Sequence, residues 1–455
     1  MALTIDEASL KEFSTQCSGV VLGPDDAGYD EARRLHNGLI DKRPALIARC
    51  RGTADVADAV RFARKHGLDI AVRGGGHNVA GLAVCDGGLM IDLSLMKGIQ
   101  TDPAMRRVRA QAGVNWRELN RETQVHGLAV TGGVVSTTGI AGLTLGGGLG
   151  WLMGKHGLAL DNLLSAEVVT ASGEIVLASE KQNEDLFWAL RGGGGNFGVV
   201  TWFEYRLHPV ARMTSGLVAH PVDNARDVLR LFRDATRSLP DELTLFSALL
   251  HAPDGSGAKL AAIIACHSGS LAEGEAALRP IKAFGKPLMD VIGPASYEAT
   301  NMMLDAGFPR GALNYWKSTF LTELSDAAID TMIGRFRECP SPMSAMVLEH
   351  VHGAAVRVGP TQTAFAHRRE AYNLLIASEW VDPAANTRNI AWARETYDAM
   401  RPYAAPARYV NYLAADETQG AAEAAYGPNL PRLRTIKARY DPQNVFRQNH
   451  NIPPA

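Results

Sequence analysis

Three dense glycine clusters, RGGGHN (73–78), GIAGLTLGGGLGWL (139–152) and RGGGGNFGVV (191–200), constrain the fold of this chain more than any other feature. Glycine is needed where the backbone takes positive φ or passes close to another chain or a ligand. Successive backbone N–H groups in such turns form a concave anion site. Three clusters within one region point to a cradle for a diphosphate-bearing cofactor. The third cluster satisfies GxGxxG by count through Gly193, Gly195 and Gly198, but its surroundings are inverted. A dinucleotide crossover has a strand before the glycines and a helix after them. Here NEDLFWALR reads as a helix and VVTWFEYRL as a strand, which argues against a nicotinamide-type Rossmann site and a nicotinamide-dependent reductase.

The glycine-rich region alternates short β-rich runs, LIARC (46–50), IAVRG (70–74), LMIDL (89–93) and EVVT (167–170), with helical stretches. In TADVADAVRFARKHG the residues Val56, Ala59, Val60 and Ala63 form one apolar stripe, closed by Gly67. From about Thr214 to Ala407 the pattern changes. The β-rich runs LTLFSALL, KLAAIIACHS and AMVLEHVHGAAVRV alternate with amphipathic helices over 271–283 and 327–338. This predicts an antiparallel sheet covered by helices, and an α+β class overall.

The 455 residues are 46% hydrophobic and 21% charged, which excludes a disordered or fibrous chain. Lys and Arg total 46 against 48 Asp and Glu, so the chain has no positive excess for nucleic acid or an anionic membrane surface. The longest apolar stretch, 139–153, contains six glycines and is too short to span a bilayer. Five scattered cysteines without a CxxC pair fit neither a zinc site nor a disulfide scaffold, so no metal is expected. The acidic N-terminus, MALTIDEASLKEF, lacks the basic and apolar regions of an export signal, and the expected location is the cytoplasm.

The order VRGGGHN, GGLMIDLSLMKGI, GGVVSTTGIAGLTLGGGLGWLMGKHGLALDN and NEDLFWALRGGGGNFGVVT resembles the FAD-binding domain of berberine bridge enzyme-like, FAD-linked oxidases. The segments ARYVNYLAAD and YGPNLPRLRTIKARYDPQNVFRQNHNI resemble that family's C-terminal signature. The resemblance implies a vanillyl-alcohol-oxidase-type, PCMH-type two-subdomain FAD-binding domain, built from about residues 1–212 (core about 42–212) plus 408–455. A substrate domain over 213–407 is inserted between them. It also implies FAD joined covalently to the histidine of RGGGH, His77. Members with a second bond carry a cysteine in GVCPTVG; here the stretch is GVVSTTG, with Val135 at that position, so a single bond is expected, as in the similar bacterial 6-hydroxynicotine oxidases.

The clusters and the resemblance together nominate Arg73, Gly74, Gly75, Gly76, His77, Asn78, Val135, Thr138, Gly139, Gly142, Gly146, Gly147, Gly148, Asn196, Gly198, Val199, Val200 and Asn411 as cofactor-binding residues. For catalysis the resemblance implies a tyrosine base in the YxNY stretch. Tyr412 is preferred over Tyr409, with Glu349 as an alternative base or amine-binding group. If YVNY is a strand, Asn411 shares a face with Tyr409, opposite Tyr412. If MVLEHVHGAAVRV is a strand, Glu349, Val351 and Gly353 face one way and His350 and His352 the other; the resemblance puts His352 where the family often has glycine, so that it could narrow the pocket. His367, in AFAHR, resembles the histidine of the family's FPHR motif, with Ala366 in place of the proline, and the resemblance implies structural support near the ring. The implied reaction removes a hydride from an alcohol, an amine or an activated C–H of a small molecule, and molecular oxygen then yields hydrogen peroxide. The rivals are a flavin-dependent dehydrogenase or oxidative cyclase at the same site, and a non-catalytic flavin-binding protein.

Overall fold

The computed structural model describes residues 6–417 and 420–455. Met1–Ile5 of the N-terminal segment read for export, and Thr418 and Gln419 in the C-terminal segment, lie outside the described residues.

Two main sheets form from the glycine-rich part, beside a two-stranded pairing of Leu128–Ala129 with His208–Pro209. In the first the order is Val20–Leu22, Leu46–Arg49, Leu89–Asp92, Ile70–Arg73, with the last three parallel and the first antiparallel to its neighbour. Helix Thr53–Lys65 connects two of these strands; its apolar stripe of Val56, Ala59, Val60 and Ala63 is buried, and Gly67 follows at φ 64°. The second sheet is antiparallel, in the order Ile99–Asp102, Arg107–Gln111, Val199–Arg206, Leu163–Val169, Ile175–Ser179. The third glycine cluster lies between helix Glu184–Leu190 and strand Val199–Arg206, which is the inverted order predicted from sequence.

The remainder centres on an eight-stranded antiparallel sheet. Its order is Met289–Asp290, Met213–Pro221, Lys259–His267, Leu243–His251, Ala345–Val351, Ala371–Trp380, Leu313–Leu321, with Gly293–Ala295 also paired to Met213–Pro221. Side-chain alternation gives this sheet two different faces. Leu245, Leu249, Met346, Leu348, Leu374 and Ile376 pack under helices Ala225–Thr236, Asp326–Arg337 and Asn386–Met400. Phe246, Ala248, Val351 and Ala371 face the other way, against Leu149, Trp151 and Tyr409 of the glycine-rich part. The functional cavity opens along this second face.

Two strand expectations need correction. AMVLEHVHGAAVRV is not one strand: pairing ends at Val351, Gly353 turns at φ 62°, and Ala354–Arg357 is a helical turn. YVNY is not a strand either, because Val410–Tyr412 form one 3₁₀ turn. Tyr409, Asn411 and Tyr412 therefore all reach the same cavity, rather than dividing between two faces.

The chain end is bolted to the third glycine cluster. Lys437 and Asp441 are fully buried and paired at 2.6 Å; the Lys437 ammonium also donates to the carbonyls of Asn196 and Phe446, at 2.7 and 3.0 Å. Asp441 accepts from the N–H groups of Val445 and Phe446, at 2.7 and 2.9 Å. Removing one partner of such a pair leaves an uncompensated buried charge. Lys437→Met is expected to cost about 3–5 kcal/mol of folding stability, read as a lower denaturant midpoint; an unchanged midpoint would show that the bolt is dispensable.

Candidate active site

One cavity runs along the seam between the glycine-rich loops and the free face of the large sheet. The loops meet because Gly75 crosses Gly139. A Cβ on either would lie 2.4 Å from the other's backbone nitrogen, so only glycine fits at both. The crossing presents His77 at the cavity wall, with Thr137 Oγ1 3.1 Å from Nε2 and Thr138 Oγ1 3.4 Å from Nδ1. The His36 ring stacks on His77 at 3.9 Å, and its backbone N–H donates to the Gly76 carbonyl at 3.0 Å. Burial, assisted by His36 and Arg310, pushes the His77 imidazole down to about 3. It is therefore neutral at physiological pH, with a threonine hydroxyl beside each ring nitrogen.

Glu349 stands on the opposite wall. On strand Ala345–Val351 it pairs in register with Phe246 on one side and Asn373 on the other. Among the described residues it is the only acidic side chain lining the cavity, and no Lys or Arg lines it. Its Oε1 accepts from the Tyr412 hydroxyl at 3.0 Å and its Oε2 from the Asn373 amide at 2.6 Å. Burial raises its pKa to about 7, against the opposing effect of these two bonds. Tyr412 is driven well above the ordinary phenol range, first by burial and then by the neighbouring carboxyl. The Tyr409 oxygen accepts from the Gly148 N–H and the Asn411 amide, both at 2.9 Å, and burial raises that phenol to about 12. The two tyrosine rings meet edge to face at 4.9 Å, and Trp316 packs edge to face on Tyr412 at 5.7 Å.

The cavity collects Gly74, Gly75, Gly76, His77, Asn78, Val135, Thr138, Gly139, Gly142, Asn196, Gly198, Val199, Val200, Glu349, Tyr409, Asn411 and Tyr412. Four nominated residues lie outside it. Arg73 turns its guanidinium away onto Asp92, at 2.9 Å through Nε and 2.5 Å through Nη2, making a buried structural pair. Gly146, Gly147 and Gly148 are glycines for close packing: a Cβ on them would strike Asn411, Tyr409 and Ala159 respectively. They let the chain pass behind the tyrosine turn and so position Tyr409 and Asn411. His352 does not line the cavity; its ring lies against Gly154 and stacks on that of His350 at 5.1 Å. His367 packs between Phe320 and Phe365, outside the cavity wall, in keeping with a supporting part.

Sequence reasoning missed His36, whose RLHNG context carries no motif, and the aromatic wall of Phe246, Phe308 and Trp316. It also missed Tyr426, Phe446, Gln448, Asn449 and His450, although these lie within the C-terminal signature, which could have flagged them. Among the described residues no group of three or more His, Cys, Asp or Glu is placed to hold a metal, and no helix is long and apolar enough to cross a membrane.

These residues fit a flavin dinucleotide. Gly142 has open space where a side chain would stand, and Gly194 and Gly198 take positive φ at the wall. The His450 Nε2 is buried without a protein partner. With no Lys or Arg in the wall among the described residues, a diphosphate would be met by backbone N–H groups, which the amides of Asn196 and Asn449 brace by donating to the carbonyls of Gly193 and Gly195. Fold and site thus define an FAD-dependent oxidoreductase of the PCMH-type, α+β architecture. An FAD binding domain matches residues 44–179, and a domain described as berberine and berberine like matches residues 408–453. The (R)-6-hydroxynicotine oxidase of Paenarthrobacter nicotinovorans is 34% identical over 454 residues, 96% of this chain and 97% of that protein. An FAD-linked oxidoreductase of Dictyostelium discoideum is 30% identical, covering 98% of this chain and 97% of that protein. The crystal structure of 6-hydroxy-D-nicotine oxidase from Arthrobacter nicotinovorans superposes with a TM-score of 0.88 at 32% identity, covering 96% of this chain and 98% of that one. The chain belongs to the berberine bridge enzyme-like family of FAD-linked oxidoreductases.

The Glu349 carboxyl has a folded-state pKa above its unfolded value of about 4.5. Its contribution to stability is therefore fully present below that value and is lost as pH rises towards about 7. Glu349→Gln has no such loss. Relative to the parent it is expected to gain about 3 kcal/mol between pH 4.5 and pH 7. Denaturant unfolding of both proteins across that range checks this; parallel curves would contradict it.

Proposed function

We propose that the protein is an oxidase that removes a hydride from an alcohol, amine or activated C–H of a small molecule, and that molecular oxygen is the final acceptor, giving hydrogen peroxide. The observation that carries this reading is Glu349: one acidic group in an otherwise uncharged wall, hydrogen-bonded to Tyr412 and poised near neutral pH. FAD, when bound, supplies the two-electron acceptor.

The chain's own residues do the rest. Glu349 takes the proton that leaves the substrate's O–H or N–H, because a general base works best with a pKa near the working pH. In this reading Tyr412, whose ionisation is disfavoured by burial and by the neighbouring carboxyl, is not the base. It donates to Glu349 and orients the carboxyl, reversing the preference given by sequence. Tyr409 is fixed by Gly148 and Asn411 and shapes the floor beside it. The aromatic and aliphatic wall of Trp316, Phe246, Val347 and Leu375 excludes water. A lone carboxyl and no cation favour neutral or basic substrates over carboxylates and phosphates.

The same reading makes the cofactor link monocovalent. His77 is neutral and faces the cavity, while Val135, also in the wall, offers no second nucleophile. Residues 1–212 and 408–455 are proposed as the flavin-binding part and 213–407 as the substrate-binding part. The five cysteines are buried and free, which supports a reducing compartment such as the cytoplasm.

The test is anaerobic mixing of the purified enzyme with a panel of small alcohols and amines, followed by admission of oxygen. Bleaching of the flavin, then one peroxide formed per substrate oxidised, is expected. Glu349→Gln should slow bleaching about 10²–10⁴-fold while retaining flavin. Bleaching that is insensitive to Glu349→Gln would remove the base from this account, and bleaching without oxygen uptake would make the protein a dehydrogenase.

A further inference from the structure

Asn373 is fully buried on strand Ala371–Trp380, directly across from Glu349 in register, and it does not line the cavity. Its amide nitrogen is 2.6 Å from Glu349 Oε2, whereas its own oxygen has no partner. The opposite rotamer would set two acceptors against each other whenever Glu349 is ionised. Other polar residues face Glu349 differently. Tyr412 donates to the second carboxyl oxygen, and Tyr409 lies beyond it, bonded elsewhere. His350, Glu370 and Tyr372 gather on the far face of the sheet, where His350 Nε2 is 3.3 Å from Glu370 Oε1 and its ring is 5.1 Å from that of Tyr372. Glu379 is six residues further along the Asn373 strand. Among the described residues no Lys or Arg lines the cavity, so the ionised form of Glu349 is supported by two neutral donors, of which Asn373 is the closer.

We propose that Asn373 is a positioning residue: by donating to Glu349 Oε2 it holds that carboxyl in the ionised, proton-accepting state and so sets the pH above which the enzyme turns over. A hydrogen bond to a charged acceptor is roughly twice as strong as a neutral one, and losing it falls entirely on the ionised form. The geometry also separates the two tasks. Glu349 lines the cavity, while Asn373, beside it on the next strand and outside the lining, has its side-chain amide engaged with Glu349. Part of this proposal, the link to turnover, rests on the reading of Glu349 as the proton acceptor.

The test is an infrared pH titration of the FAD-loaded enzyme, following the protonated-carboxyl band that disappears in Glu349→Gln. In Asn373→Leu its midpoint is expected to rise by about one to two pH units. Asn373→Asp keeps the shape and guards against a folding defect in the first variant; it replaces the donor with a second carboxyl, and a protonated carboxyl should persist to higher pH than in the parent. In parallel, the acid limb of the flavin-bleaching rate should move with the midpoint and the rate should recover at high pH, which a merely structural defect would not produce. An unmoved midpoint in both variants overturns the proposal. A midpoint that moves while the rate profile stays fixed upholds the control of Glu349 by Asn373 and overturns instead the assignment of Glu349 as proton acceptor.

Discussion

The site depends on one backbone crossing. Gly75 and Gly139 approach so closely that a single methyl group on either would force the two loops apart. Because no side chain intervenes, the loop carrying His77 and the loop carrying Val135 and Thr138 form one continuous wall. His77 is then placed by its neighbours: two threonine hydroxyls address its two ring nitrogens, and His36 covers one face of the ring. The glycines that follow, Gly146 to Gly148, serve the same purpose one layer back, letting Tyr409 and Asn411 seat against the chain.

The second requirement is a sheet with unlike faces. Helices cover one side and bury Leu245, Met346, Leu348 and Ile376, so the other side is free to meet the glycine loops. On that side alternation places Val347 and Glu349 in the wall, and a neighbouring strand supplies Asn373. A carboxyl buried without a cation resists ionisation. Here that cost becomes the chemical property of interest, because two neutral donors offset enough of it to leave the group near neutrality. The carboxyl and the neutral imidazole thus both arise from burial, on opposite walls of one cavity.

Much of this was legible in sequence because glycine constraints are local. The three clusters, the inverted helix-strand order around the third, and the apolar stripe of Thr53–Lys65 each follow from residues adjacent in the chain. Misreadings came where few residues had to decide. Four residues of YVNY satisfy period-2 alternation as well as a 3₁₀ turn, and only packing against Gly146 and Gly147 selects the turn. Arg73 adjoins the cluster, but its guanidinium is claimed by Asp92, which is 19 residues away in the chain. His36 and Asn373 have no signature at all, since their importance lies in what they touch across the fold.

The measurement that bears most directly on this arrangement is acid precipitation of the purified protein, followed by tryptic digestion and weighing of the peptide 74–97, which contains His77. Yellow colour retained by the precipitate, with the mass of one FAD on that peptide alone, is the expected result. Colour released to the supernatant, or flavin carried by a different peptide, would contradict the placement of the cofactor against the Gly75–Gly139 crossing with His77 as its single anchor.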